Sequence, residues 1–144
     1  MAVVYFDSSA LVKLVVEETG SGLAADLWDG CDAAVSSRLA YPEVRAALAA
    51  AGRNHDIDPS GQAAAETAWE EYWAATRPVE LNRAVEQSAG QLAARHALRG
   101  ADAVHLASAL AVSQSGQILA AWDLRLRAGA QAAGLAITPA DPGG

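Results

Sequence analysis

The sequence predicts an α/β fold in which a parallel sheet is covered by helices on both faces. Short β-branched or aromatic runs alternate along the chain with longer stretches of helical period, the pattern of βαβ units. Alanine makes up roughly a quarter of the 144 residues, which favours helix on intrinsic propensity. No Pro/Gly/Ser linker and no repeat divides the chain, and residues 1–144 are enough for a single domain whose core needs no disulfide or metal staple.

Ala2 to Phe6 reads as a buried strand, and Asp7-Ser8-Ser9 behind it is an N-cap cluster for a helix through Ala10 to Leu14. Thr19-Gly20-Ser21-Gly22 breaks that helix, Leu23 to Trp28 reads as a second one, and Ala33 to Val35 as a short strand closing on Ser36-Ser37. Those serines can cap a helix through Arg38 to Gly52, with Pro42 tolerable in its first turn or at a kink. Asn54 to Ser60, with Asp58-Pro59, is a turn, and Ser60 caps a helix to about Thr76 that Arg77-Pro78 ends. Val79 to Leu81 is a weak third strand, followed by a helix through Leu98 that Arg99-Gly100 terminates. Asp102 opens a helix over Ala103 to Ser113. Gln117 to Trp122 is a strand ending on Asp123, and Leu135 to Thr138 is a short final strand before a Pro-Gly tail.

Composition narrows the function classes. The 52% hydrophobic and 19% charged fractions exclude a disordered or low-complexity chain. The single cysteine, Cys31, excludes an internal disulfide or a thiolate zinc cage and fits a reducing compartment. The N-terminus has no basic region before its apolar run, and no window approaches ~18 apolar residues, so a cytoplasmic protein with no membrane contact is expected. The formal charge of −7 has the wrong sign for holding nucleic acid by bulk electrostatics.

The acids are more informative than their sum. In an open parallel sheet, ligands bind beyond the carboxyl ends of the strands near the topological switch point. Asp7 and Asp123 each follow an apolar strand, and Asp102 and Glu43 near helix starts can reach the same edge. Carboxylates gathered in a partly desolvated pocket repel one another unless a cation neutralises them. Oxygen-only ligation selects Mg²⁺ or Mn²⁺ over zinc, and such a site suits phosphodiester hydrolysis by metal-activated water. Against this stands the reading that each acid simply caps a helix.

Four segments carry a resemblance: Val3-Val4-Tyr5-Phe6-Asp7-Ser8-Ser9-Ala10-Leu11-Val12-Lys13; Ser37-Arg38-Leu39-Ala40-Tyr41-Pro42-Glu43-Val44-Arg45; Arg99-Gly100-Ala101-Asp102-Ala103-Val104-His105-Leu106-Ala107; and Trp122-Asp123-Leu124-Arg125-Leu126 through Gly134-Leu135. In order and spacing they resemble a PIN domain, and most closely the VapC-type toxins of bacterial toxin–antitoxin modules. The resemblance implies a three-layer αβα sandwich with a central parallel sheet, spanning 1–144 as one nuclease domain. It also implies a Mg²⁺- or Mn²⁺-dependent endoribonuclease that forms homodimers and is inhibited by a cognate antitoxin. Carried onto matching positions, the metal-site acids are Asp7, Glu43, Asp102 and Asp123, with Ser9 supporting the site by hydrogen bonding. The sequence departs from the family where a Thr or Ser often stands two residues before the last acid; Ala121 is there, which implies weaker or altered activity.

Other side chains divide between a bland and a functional reading. His105 lies on the Asp102 face of its helix, as a support of the site or as a histidine satisfied against the sheet. Lys13, Arg38, Arg45 and Arg99 are solvated helix charges or RNA-phosphate contacts, with Lys13 and especially Arg99, which adjoins Asp102, the ones to follow. Trp69, Tyr72 and Trp73 form one aromatic stripe, either core or an interface. Two other functions stay open. A haloacid-dehalogenase-like phosphatase would use Asp7 as nucleophile, but the second Asp expected two residues on is Ser9. A weakly active domain serving mainly as a dimeric antitoxin partner would also fit Ala121. Bound divalent ions would add about +4 where a phosphate must sit, so the net charge of −7 does not exclude RNA.

Overall fold

In the computed structural model, which describes residues 2–112 and 116–143, alternation along the strands separates two cores. Val4 and Phe6 of β1 (Val3–Phe6) point into one, and Tyr5 between them points into the other. Ala34 and Val35 of β2 (Ala33–Ser37) divide the same way, as do Ala120 and Leu119 of β4 (Ile118–Ala120). Period-two burial on both sides is what a sheet covered on both faces requires. With β3 (Arg77–Val79) and β5 (Ala136–Thr138), the sheet among the described residues is parallel throughout, in the order β3-β2-β1-β4-β5.

The first core is closed by α1 (Ser8–Val15), α2 (Ser21–Gly30), α3 (Ala40–Arg53) and α4 (Pro59–Ala74). The second is closed by α5 (Arg83–His96), α6 (Gly100–Ala111) and α7 (Leu124–Ala132). This is the expected three-layer αβα sandwich. The chain builds outward from β1 to β2 and β3, then returns to the other side of β1 for β4 and β5. The switch point therefore lies between β1 and β4, whose carboxyl ends lead to Asp7 and Asp123. The ladder between them continues one step past β1, because the Asp7 N–H donates to Ala120 O at 3.2 Å.

Several boundaries differ from the sequence reading. The cap of α4 is Asp58, whose carboxylate accepts from Gly61 N, and not Ser60; Pro59 then fills the first helical position, where its missing N–H has no intrahelical partner to lose. Arg77 and Pro78 do not merely end that helix but lie inside β3, which tolerates proline because it is the sheet edge. Asp102 sits in the first turn of α6, which opens at Gly100; the expected end at Ser113 lies outside the described residues. The β4 strand is shorter than Gln117 to Trp122, and α7 between Asp123 and Leu135 is an element the sequence reading did not assign. Replacing the α4 cap, Asp58→Ala, is expected to lower stability by about 1 kcal/mol, seen as a lower denaturation midpoint at unchanged m-value.

The aromatic stripe of α4 is internal at its centre. Trp69 is fully buried, Tyr41 of α3 stacks on it at 6.1 Å between ring centroids, and Trp73 packs beside both. Tyr72 meets Trp28 of α2 edge-on at 4.9 Å, so the stripe joins α2, α3 and α4 into one packed face. No helix among the described residues is long and apolar enough to cross a membrane.

Candidate active site

At the carboxyl edge of β1, Asp7 is both the cap of α1 and a buried charge. Its Oδ1 accepts from the Ala10 N–H at 2.9 Å and from Ser9 Oγ at 2.7 Å, while the residue is only 4% exposed. Burial pushes its carboxyl above the ordinary value near 3.8; His105, Ser9 and the Ala10 N–H pull it down, and the nearby Asp102 charge pushes it up again. Ser9 therefore has the supporting bond expected of it. Asp123 repeats the device at β4: it caps α7 through Oδ1, which accepts from the Leu126 N–H at 2.9 Å. In both cases the strand end, the cap and the acid are one local structure, and the cap occupies Oδ1 of each acid and leaves Oδ2 outside it.

Asp123 and Asp102 are joined through a third side chain. The Arg99 guanidinium lies between them, donating from Nε to Asp102 Oδ2 and from Nη2 to Asp123 Oδ2, both at 3.3 Å. Glu43, in the first turn of α3, is turned toward α6: its Oε1 accepts from Ser8 Oγ at 2.8 Å and bonds His105 Nε2 at 2.7 Å. Burial raises the Glu43 carboxyl, but the His105 bond and charge and the Ser8 hydroxyl outweigh it, so the group is held below its ordinary range.

His105 is itself held from below the sheet edge. It is 2% exposed, and its Nδ1 lies 2.8 Å from Tyr5 Oη. The Ser37 N–H donates to that same phenol oxygen at 3.0 Å, which leaves the phenol proton for His105 Nδ1. In the neutral ring this puts the remaining proton on Nε2, facing Glu43. The two readings of His105 thus describe one residue, satisfied against β1 and supporting a site acid. Tyr5, Ser8 and Ser37 were not identified from the sequence as parts of this chain of bonds. A tyrosine in the buried face of β1, two residues before Asp7, was the available signal.

The other basic candidates pair with groups other than the four acids. Lys13, with a side chain only 11% exposed, pairs with Glu18 at 3.0 Å and lies over the Trp122 ring. Arg38 pairs with Glu80, and Arg45 bonds Tyr41. Ala121 is fully buried in the core beneath α5–α7, so its methyl group offers the acids no hydrogen bond.

The donor set, carboxylate oxygens with hydroxyl support, fits a hard divalent ion such as Mg²⁺ or Mn²⁺. Repulsion between Asp7 and Asp102 and a guanidinium already seated between Asp102 and Asp123 mark the edge as one that draws cations. Among the described residues, no three acidic, His or Cys side chains already converge on one point. Arg99 holds Asp102 and Asp123 on either side of itself, and Glu43 is bound to His105 and Ser8.

Comparison with known proteins identifies what the chain is similar to. A family model described as "PIN domain" matches residues 4–138. The chain is 69% identical over 140 residues to Ribonuclease VapC45 of Mycobacterium tuberculosis (strain CDC 1551 / Oshkosh), covering 97% of each. Its fold matches the crystal structure of Mycobacterium tuberculosis VapC20, a sarcin-ricin loop cleaving toxin, with a TM-score of 0.65 at 20% identity, covering 92% of this chain and 95% of that one. It also matches a toxin–antitoxin complex from Klebsiella pneumoniae with a TM-score of 0.64 at 16% identity, covering 94% of this chain and 96% of that one.

Proposed function

We propose, since this chain belongs to the PIN domain family and is of the VapC type, that it is a toxin endoribonuclease hydrolysing RNA phosphodiesters with the help of Mg²⁺ or Mn²⁺. The observation that carries the proposal is the 69% identity to a ribonuclease over nearly the whole chain, supported by Asp7 and Asp123 at the carboxyl ends of β1 and β4 and by Arg99, which joins Asp123 to Asp102. Asp7, Asp102 and Asp123 would hold the ion, with Glu43 completing the set. When bound, a divalent ion supplies positive charge to the phosphodiester in flight and makes water acidic enough to act as nucleophile near neutral pH.

The chain's own residues do the rest. Ser9 and the Ala10 N–H fix Oδ1 of Asp7, and the Leu126 N–H fixes Oδ1 of Asp123, so these bonds leave Oδ2 of each acid uncommitted to the cap. His105 and Ser8 share Oε1 of Glu43, keeping the group ionised and leaving Oε2 for the ion or for a water. No side-chain nucleophile is required, which sets this reading apart from a phosphatase acting through Asp7. A cognate antitoxin as partner is supported by the toxin–antitoxin complex among the structural relatives, and the homodimer belongs to the same reading.

The purified chain, freed of antitoxin, should cleave single-stranded RNA in Mg²⁺ or Mn²⁺ and lose that cleavage on chelation. Asp102→Asn should fall at least about a hundredfold below the parent protein. Cleavage that persists in chelator, or equal rates for the parent and Asp102→Asn, would count against the proposal.

A further inference from the structure

We infer that Arg99 is a resident counter-cation of the acidic edge, one that gives up Asp102 and Asp123 to an incoming divalent ion and then takes the RNA phosphate. This rests on the metal-site reading above and adds an exchange to it. Among the described residues, Arg99 is the one Lys or Arg side chain within salt-bridge distance of any of the four acids. Each of its contacts goes to an Oδ2 atom, and on Asp123 the other oxygen is already committed to the Leu126 N–H. A divalent ion held by Asp102 and Asp123 would compete for those same oxygens.

The guanidinium is seated so that it can leave. Both contacts are 3.3 Å, longer than the ~2.7–2.9 Å of strong charge-assisted bonds, and they reach two different acids in place of one bidentate fork. The side chain is 68% exposed, and its backbone is the extended N-cap of α6, with no side-chain cap bond tying it down. It cannot go far either, because it is anchored three residues before Asp102. Before metal enters, Arg99 reduces the repulsion among the acids. With a divalent ion held by Asp102 and Asp123, the guanidinium would be repelled from them and free to pair with a phosphate of the RNA.

The exchange makes two effects of opposite sign follow from one substitution. In Mn²⁺ titrations of the antitoxin-free chain without RNA, followed by the electron paramagnetic resonance of free Mn²⁺, Arg99→Gln should bind about three- to tenfold tighter than the parent, the size expected for removing two exposed ion pairs. The difference should shrink as salt is raised, since the competition is electrostatic. With RNA present, Arg99→Gln should raise KM several-fold, lower kcat less, and flatten the dependence of log KM on log salt by about 0.7, with Arg99→Lys lying between. Mn²⁺ affinity that is unchanged or weaker in Arg99→Gln overturns the inference, weaker binding meaning that Arg99 only positions the acids. An unchanged KM overturns the phosphate step. Failure of the folded parent protein to bind Mn²⁺ overturns the metal-site reading beneath it, a result distinct from the other two.

Discussion

Asp7→Asn should abolish RNA cleavage while raising the melting temperature of the metal-free protein. The substitution keeps the local structure: an amide oxygen can still accept from the Ala10 N–H and Ser9 Oγ, and Asn is as good an N-cap as Asp. What it removes is a carboxylate charge 4% exposed to solvent and close to Asp102. The pH dependence has a definite sign. Because burial raises the folded-state pKa above the ordinary 3.8, the native state binds the proton more tightly than the unfolded chain, so stability falls as pH rises from about 4 through the folded pKa. Asp7→Asn lacks this loss, so its advantage grows from acid toward neutral pH. Relief of about 1–2 kcal/mol corresponds to about 3–6 °C in Tm for a domain of this size. Asp7→Ala is the contrast: it removes the same charge but also the cap, worth about 1 kcal/mol, and should gain less or nothing. Thermal melts in chelator at pH 4 and pH 7.5, beside cleavage assays in Mn²⁺, read both halves. A lower Tm for Asp7→Asn at neutral pH would mean that the buried charge is not a cost to the fold.

His105→Ala is expected to lose activity about ten- to hundredfold and stability by about 2–4 kcal/mol. The stability loss comes from a nearly fully buried ring whose removal leaves a void and deprives Tyr5 Oη of a partner. The activity loss has another cause: Glu43 loses the group that holds its Oε1 and keeps it ionised. Tyr5→Phe separates the two. It preserves ring packing but leaves the Ser37 N–H unpaired and takes the donor away from His105 Nδ1, so in the neutral ring the proton is no longer directed to Nε2. Imidazole nitrogen shifts measured by NMR should show a mixed tautomer population in Tyr5→Phe, with activity reduced but less than in His105→Ala. Cleavage by His105→Ala within twofold of the parent, at a temperature where both are folded, would show that Glu43 needs no such support.

Local chemistry made much of this legible. Val3 to Phe6 followed by Asp7-Ser8-Ser9 specifies strand, acid and helix cap in one stretch, because the apolar run must be buried and the acid must find the free N–H groups of the next helix. Asp123 was readable in the same way. Where the reading slipped, competing signals lay within two or three residues: Asp58 and Ser60 can both cap, and Pro59 decides for Asp58 because proline belongs at the first helical position. The α7 helix has little signal in the sequence because Leu124 to Ala132 carries little amphipathic contrast. It is held by its cap on Asp123 and by the burial of Leu126, Gly129 and Ala130 against neighbouring elements.

By itself the sequence determined an alternating α/β chain and marked four candidate acids with Ser9 beside the first, since strand ends, caps and carboxylates are consequences of residues close together in the chain. Only the tertiary structure decided what each acid touches. Glu43 meets His105 across 62 positions, His105 meets Tyr5 across 100, and Arg99 reaches Asp123 across 24. Such contacts depend on strand order and on which helix crosses which sheet face, quantities set by the packing of two whole cores and by no single segment. That is why the acids and Arg99 stand out by inspection of the sequence, while the seat of the guanidinium between Asp102 and Asp123 does not.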